Sequence, residues 1–347
     1  WWFIMTTTAF MLLDVNLCFK EGSSFATMSK ETLGKLWQWI TWFSFLLLLY
    51  SLIAAYVAEG GHLLEVSALN FKSYNLPSWS YALFYTLFLA LFIFFGTTKV
   101  DYLNRFFMII MIAVFFIMIF MLTKYINVSN LFNNDTKWQL IVPALPVIMV
   151  CFGSHFVIPS LREYLESDEK KLKRIILLGS IIPLLIYICW ELVAIGTVPL
   201  NGINSFKTIF SENGSVAEMI FVMRTITENQ YINNCINIFV HMAIATSFLG
   251  VSLSLFDFIM DGFHLNSKRW NNRIVVLIAV YIIPIIFALY YPKGFILALR
   301  YASIFGTILV IFLPSFMVLK LRNNIRFKKS FYIKWNNFFI YLSIISG

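Results

Sequence analysis

The stretch Cys151-Phe152-Gly153-Ser154-His155-Phe156-Val157-Ile158-Pro159-Ser160 interrupts a hydrophobic segment with a glycine, a histidine, two serines and a proline. A chain that leaves helical geometry inside a bilayer loses backbone hydrogen bonds, which is tolerated only where the backbone is buried in protein or lines a wet cavity. Membrane transporters use such breaks to bind solutes and ions. We therefore predict a broken helix around Gly153 that forms part of a binding site.

The composition predicts a membrane protein. Of the 347 residues, 60% are hydrophobic and 12% are charged, and the mean hydropathy is +0.80, which is typical of chains that cross a bilayer several times. A spanning helix needs about 20 largely apolar residues. Ten segments are candidates, although the last is too short to cross: 1–18, 37–58, 79–97, 104–123, 138–157, 174–197, 235–258, 273–291, 295–319 and 336–347.

The net charge of +9 does not indicate nucleic-acid binding, because the basic residues lie in short loops between the predicted spans. Alternate loops differ sharply in charge. The loops near 20–35, 99–105, 162–174, 268–273 and 320–334 carry nineteen Lys and Arg, whereas the intervening loops carry six. By the positive-inside rule the first set is cytoplasmic, so Trp1 is predicted to start on the outer side.

The whole chain, 1–347, is predicted to form a single transmembrane domain. It opens at Trp1 inside an apolar run, so we expect both ends to be trimmed from a longer protein. A helical stretch from Ser215 to Glu228 is predicted in the longest outer loop, where it would cap an outer vestibule. The four cysteines lack the spacing of metal ligands, and we predict no metal site and no cofactor.

Three stretches carry a resemblance to a known family: residues 145–187 with Phe152-Gly153-Ser154-His155 and Gly179-Ser180-Ile181-Ile182-Pro183, then Ala245-Thr246-Ser247-Phe248-Leu249-Gly250, and Phe287-Ala288-Leu289-Tyr290-Tyr291-Pro292-Lys293-Gly294-Phe295. In these residues the chain resembles the bacterial aromatic amino acid permeases of the tyrosine and tryptophan type. The resemblance implies an all-α integral membrane protein of the amino acid–polyamine–organocation superfamily, with two inverted five-helix repeats and broken helices. The predicted spans would then be the second to eleventh, and the family's broken first helix would be missing.

The resemblance also implies a site made from two segments. Phe152, Gly153, Ser154, His155 and Phe156 are the expected substrate-binding residues at the break, joined by Ser247 and Gly250. His155 is an intramembrane ionisable group whose imidazole suits proton coupling, although a neutral, hydrogen-bonded structural role is the alternative. Thr246 and Ser247 are the further ion-coupling candidates, because hydroxyls at this place ligate sodium in some members of the superfamily.

These observations predict a secondary active transporter in the bacterial inner membrane that imports tyrosine or tryptophan by proton symport. Its expected partners are the amino acid, the coupling ion and the lipid bilayer, with no nucleic acid. Three alternatives remain open. They are a sodium- or proton-coupled transporter of neutral amino acids, an intramembrane enzyme that uses His155, His241 and Glu191, and an inactive truncated relic.

Overall fold

The computed structural model describes residues 1–70, 76–132, 144–211, 216–266, 269–322 and 336–347, except for the side chains of residues 69, 70 and 146. All regular secondary structure in these ranges is helical. Two of the described segments contain non-α turns that matter below. One is a 3₁₀ turn at Ser154–Val157, and the other is a π turn at Ile308–Phe312.

Seven helices of the described residues are long and apolar enough to cross a membrane. They are α3 (Lys35–Asn70), α4 (Ser78–Phe95), α5 (Thr97–Leu122), α9 (Glu169–Thr197), α12 (Gln230–Gly262), α13 (Trp270–Tyr290) and the continuous run of α14 (Phe295–Thr307), the π turn and α15 (Leu313–Arg322). Each corresponds to one of the predicted apolar segments. The prediction of a multi-pass, all-α membrane protein is therefore confirmed.

The other three predicted spans are shorter in the described residues. Helix α1 (Trp2–Leu17) has 16 residues and α16 (Asn337–Ser346) has 10. The segment 138–157 begins outside the described residues and continues as α7 (Leu145–Cys151), the 3₁₀ turn and α8 (Ile158–Tyr164). A count of ten spans is thus not confirmed, and the inverted repeat stays a prediction, as does the single domain.

The described chain divides into two compact units, which are treated separately below. Unit 1 comprises Trp1–Leu48, Trp138–Tyr187 and Arg300–Gly347, and unit 2 comprises Leu49–Lys137 and Ile188–Leu299. In unit 1 the short helix α2 (Phe25–Leu33) packs with α15, and α1 packs against α8 and α15. Met11, Leu12 and Leu13 of α1 are fully buried there, so this 16-residue helix contributes to the core of its unit.

The π turn in unit 1 has a cause in the sequence. Pro314 follows it immediately and has no N–H group to donate to the carbonyl oxygen of Val310, four residues earlier. The helix widens for one turn over Ile308–Phe312 and then resumes as α15. Leu309, Val310 and Ile311 are buried within this turn, so the irregular backbone is covered by protein, as a membrane segment requires.

Unit 2 is built around α12, which packs along α5, while α4 packs against α13. Glycines let α3 and α4 approach closely. A Cβ atom at Gly61 would lie 2.7 Å from the Cα atom of Ala82, and one at Gly60 would lie 2.4 Å from the ring of Tyr85. The predicted outer-loop helix is present as α11 (Val216–Thr227), and it packs on α12. Two short helices, α6 (Val128–Leu131) and α10 (Phe206–Ser211), complete this unit.

Candidate functional site at the helix break

The predicted helix break is present in unit 1. Helix α7 ends at Cys151, and the backbone hydrogen bonds that follow span fewer residues than those of an α-helix. The amides of Phe152 and Gly153 donate to carbonyls three residues earlier, and the amide of Ser154 donates to the carbonyl of Phe152, two residues earlier. Gly153 has φ −73° and ψ +43°, outside the helical region. The prediction that the chain leaves helical geometry around Gly153 is therefore confirmed.

Small and cyclic residues account for the break. A Cβ atom at Gly153 would lie 3.3 Å from the carbonyl oxygen of Val150, which is tighter than ordinary van der Waals contact. Pro159 lies in the first turn of α8, where its missing N–H costs nothing and its fixed φ favours helix initiation. The sequence around the break therefore ends one helix and starts the next within seven residues. Pro143, another residue of this predicted span that lacks a backbone donor, lies outside the described residues.

His155 is fully buried just after the break. Its Nε2 atom lies 2.9 Å from Oγ1 of Thr8 on α1. The Thr8 hydroxyl also lies 3.1 Å from the carbonyl oxygen of Met5, to which it donates its only proton. Both hydrogen bonds are satisfied when Nε2 carries the imidazole proton and donates to Thr8. Nδ1 is then the unprotonated nitrogen, and it has no hydrogen-bond partner among the described residues.

Aromatic rings surround the break within unit 1. The ring of Phe156 lies between those of Phe25 and Phe45, with centroid separations of 5.6 and 5.4 Å. Phe152 meets Tyr187 of α9 edge to face at 5.5 Å. These geometries are typical of stable aromatic pairs. Phe152 and Phe156, two of the expected substrate-binding residues, are therefore half-buried and already paired with protein rings.

One carbonyl group at the end of α7 is already occupied. The Tyr187 hydroxyl donates to the carbonyl oxygen of Cys151 over 3.3 Å. Ser154, in contrast, is exposed, and Gly153 is partly exposed. The other carbonyls here accept from the amides of Phe152, Gly153 and Ser154. Because each carbonyl oxygen has a second lone pair, backbone oxygens on the exposed side of the break can also bind a positively charged group.

Arg162 anchors the segment that follows the break, a role that the sequence analysis missed. This buried guanidinium donates through Nη1 to the carbonyl oxygens of Asn16 and Phe19 at the end of α1, the second over 3.0 Å. Its Nε donates to Ser167 over 2.9 Å, and Ser167 in turn donates to the carboxylate of Glu21. Burial lowers the pKa of Arg162, and the guanidinium group still carries its charge at neutral pH, because the ordinary pKa of arginine is far above neutral.

The candidates on α12 belong to unit 2. Thr246 is buried and donates to the carbonyl oxygen of Ala243 over 3.0 Å, so its proton is used within its own helix. Ser247 is partly exposed. Gly250 is exposed, and a Cβ atom added there would meet no other atom within 4 Å. Within the part of the chain that the structure describes, Gly250 therefore borders open space beside α12.

The structure thus brings together one part of the predicted site, Phe152 to Phe156, and adds partners that the sequence analysis did not select: Thr8, Phe25, Phe45 and Arg162. These partners are separated from the break by long stretches of sequence, except for Arg162. The signal for Arg162 in the sequence was a basic side chain seven residues after a histidine in an apolar segment. Thr246, Ser247 and Gly250 lie in the other unit.

Long apolar helices together with one broken by glycine and proline are typical of multi-pass membrane transport proteins. Comparison with known proteins agrees. The chain belongs to the tryptophan/tyrosine permease family, whose sequence profile matches residues 1–347. The resemblance noted from the sequence is thereby confirmed.

Three relatives illustrate the range of the family. The chain is 32% identical to a tryptophan-specific transport protein of Haemophilus influenzae, over 100% of this chain and 84% of the relative. It is 32% identical to tyrosine-specific transport system 1 of the same organism, over 92% and 78%. It is also 31% identical to glutamine transporter 2 of Aliivibrio fischeri, over 91% and 78%.

Membership of this family makes the chain a transporter and not an enzyme. The alternative of an intramembrane enzyme that uses His155, His241 and Glu191 is therefore wrong. The two histidines instead make hydrogen bonds to hydroxyl groups, His155 to Thr8 and His241 to Ser67 over 3.1 Å.

Proposed function

We propose that this chain imports an aromatic amino acid, tryptophan or tyrosine, across a bacterial inner membrane by proton symport. The observation that carries the proposal is the helix break at Phe152–Val157, with an exposed backbone on one side and the buried His155 on the other. The names of the tryptophan- and tyrosine-specific relatives support the choice of cargo. Phe152, Gly153, Ser154, His155 and Phe156 are the proposed binding residues in unit 1, and Ser247 and Gly250 are those in unit 2.

The break can bind the polar end of an amino acid through backbone dipoles. Carbonyl oxygens at the end of α7 attract the ammonium group, and the hydroxyl of Ser154 adds a donor and an acceptor. Phe152 and Phe156 offer ring edges and faces to an aromatic side chain. Because these rings are paired with Tyr187, Phe25 and Phe45 in this conformation, the solute has to share or replace one of those contacts.

His155 is the proposed proton acceptor. In this conformation the imidazole is fully buried with one hydroxyl partner, and burying an unpaired positive charge is costly. It is therefore neutral here, and Nδ1 is the atom that takes up a proton when a rearrangement of the break admits water. Thr246 and Ser247 are the corresponding candidates in unit 2 for an ion held by hydroxyl oxygens.

Uptake of radiolabelled tryptophan into proteoliposomes that contain the purified chain tests this proposal. We expect uptake in the absence of sodium when the inside is made alkaline relative to the outside. We also expect unlabelled tyrosine and phenylalanine to compete with the labelled tryptophan. Uptake driven by a sodium gradient alone would contradict the proton coupling. No uptake under either gradient would contradict the transport function and favour an inactive relic.

A second candidate cargo is a neutral, non-aromatic amino acid. The observation that favours it is the 31% identity to a protein named glutamine transporter 2, which nearly equals the identity to the tryptophan- and tyrosine-specific proteins. The same proteoliposomes separate the two candidates. Glutamine that competes with tryptophan more strongly than tyrosine does would favour the neutral amino acid.

A further inference from the structure

Unit 2 contains a large cavity whose lining includes none of the residues of the helix break. Its volume is about 1530 Å³, and it lies among α3, α4, α5, α11 and α12. Sites for drug-sized molecules are commonly about 300–1,000 Å³, so this cavity has room for an amino acid together with water. Its walls differ in chemistry, and that difference suggests what the cavity binds.

One wall is aromatic. Phe84 and Phe88 of α4 lie one turn apart with ring centroids 6.2 Å from each other. Phe107 of α5 and Phe221 of α11 also line the cavity. Phe84, Phe88 and Phe221 are 64%, 51% and 61% exposed. Four phenylalanine side chains therefore line the same space, and three of them are more than half exposed.

The facing wall is polar. Asn233, Asn237 and His241 lie four residues apart along α12, which places them on one face of that helix over about 12 Å. His241 is hydrogen-bonded to Ser67 of α3. The side-chain oxygen of Asn233 is buried and has no hydrogen-bond partner within the described ranges. Buried amide groups normally have partners, so this row of side chains is suited to a polar ligand.

Opposite charges line the cavity at the junction between α11 and α12. Arg224 and Glu228 are four residues apart, and both border the cavity. Asn229, the next residue, caps α12 by accepting from the backbone amides of Tyr231 and Ile232. A guanidinium and a carboxylate at one end of an aromatic cavity complement the carboxylate and ammonium groups of a zwitterion.

We propose that this cavity is a second binding site for the aromatic amino acid, with the ring against Phe84 and Phe88 and the polar groups toward α12 and the Arg224–Glu228 end. The proposal rests on the proposed function. A lipid chain is a poorer occupant, because hydrocarbon against Asn233 and Asn237 would leave their amide groups without partners. A solute with an aromatic ring and a zwitterionic end satisfies both walls.

Two substitutions test the site from its two walls. Phe88→Ala removes ring surface, and Asn237→Leu removes hydrogen bonding at nearly constant size. Phe95→Ala is the matched control, since Phe95 is another exposed phenylalanine of α4, 58% exposed, that does not line the cavity. The measurement is equilibrium binding of radiolabelled tryptophan to the full chain in lipid nanodiscs.

We expect two molecules of tryptophan per chain for the unsubstituted protein and for Phe95→Ala. For Phe88→Ala and Asn237→Leu, we expect one molecule at the original affinity and the second weakened by about tenfold or more. One molecule per chain in the unsubstituted protein, with the same affinity in both variants, would overturn the second site and leave the proposed function intact. Absence of any binding would instead overturn the proposed function.

A labelling experiment does not depend on how the variants fold. Irradiation of the unsubstituted chain with 4-azidophenylalanine, followed by peptide mapping, should label peptides from α4, which contains no residue of the primary site, as well as from residues 145–164. Labels confined to residues 145–164 and α12 would overturn the second site. Labelling at α4 that excess tryptophan prevents would support it.

Discussion

At His155, the sequence identified the residue but not its partner. An imidazole beside a predicted helix break is an evident functional candidate. Thr8, the residue that it contacts, lies 147 positions earlier in the chain, and nothing in the spacing of the two residues connects them. Sequence patterns report on neighbours within a helix, whereas this hydrogen bond depends on how α1 packs against the break.

Replacing His155 by glutamine tests its role in proton coupling. Glutamine can still donate to the Thr8 hydroxyl, but it does not titrate. We therefore expect His155→Gln to bind tryptophan and to lose the stimulation of uptake by an inside-alkaline pH gradient, as measured in proteoliposomes. Full stimulation in this variant would assign His155 a structural role and move proton coupling elsewhere.

The Thr8 hydroxyl has a matched control on the same helix. Thr7 is also buried, but its hydroxyl donates only to the carbonyl oxygen of Phe3 one turn earlier. Thr8→Val leaves the buried Nε2–H of His155 without an acceptor, so we expect it to lower the free energy of unfolding by about 1–3 kcal/mol. Thr7→Val should lower the free energy of unfolding by clearly less. Thermal unfolding of the two variants measures this difference. Equal losses would contradict the importance of the bond to His155.

At the scale of helices and turns, glycine and proline predicted the position of the break. The sequence did not reveal which contacts fix the helical segments on either side of it. Arg162 supplies part of the answer by donating to carbonyl oxygens at the end of α1. A cation there also interacts favourably with the negative end of the helix dipole. Its partners depend on tertiary packing, and the charge alone was equally consistent with a solvated loop.

Arg162→Ala should therefore destabilise the protein. The substitution removes the hydrogen bonds that the guanidinium donates to the carbonyl oxygens of Asn16 and Phe19, and hydrogen bonds to a charged group contribute about 1.5–3 kcal/mol. We expect a loss of about 3 kcal/mol in the free energy of unfolding. Arg105→Ala, at an exposed ion pair with Asp101, is the control and should change little. A similar effect of the two substitutions would disprove the anchoring role.

The close approach of α3 and α4 depends on Gly61. Because the added Cβ atom would lie 2.7 Å from the backbone of Ala82, Gly61→Ala has to push the helices apart, and we expect it to cost about 1–3 kcal/mol. Gly179 of α9 has no atom within 4 Å of its hypothetical Cβ. Gly179→Ala should leave stability unchanged or raise it by about 0.5–1 kcal/mol. Thermal unfolding in detergent gives both values, and a tolerated Gly61→Ala would contradict the packing.

For the whole molecule, hydropathy was enough to locate the seven long helices but not their ends. Helix α3 was predicted over 37–58 and continues to Asn70. The apolar pattern stops at Glu59, yet this side chain is fully buried, because other elements of unit 2 cover it. The charged residue Glu59 therefore ends the hydrophobic run but not the helix, which continues to Asn70.

Membrane orientation is predicted from the distribution of basic residues and can be measured directly. In a variant whose four cysteines are replaced by serine, Lys207→Cys should react with a membrane-impermeant maleimide on intact cells. Lys170→Cys should react only after the cells are permeabilised. Both positions are exposed, so access to the reagent depends on the side of the membrane. The opposite pattern would invert the predicted orientation.

The π turn at Ile308–Phe312 is a point at which one part of a membrane helix can rotate relative to the other. A π turn holds about one residue more than an α turn, and one residue of an α-helix corresponds to about 100° of rotation and 1.5 Å of rise. If the wide turn lost one residue and became an α turn, α15 would rotate by about 100° and move by about 1.5 Å along the helix axis relative to α14. Pro314 donates no backbone hydrogen bond, so this rotation would exchange the wide-turn hydrogen bonds, such as that from the Leu313 amide to the carbonyl oxygen of Ile308, for α-helical ones.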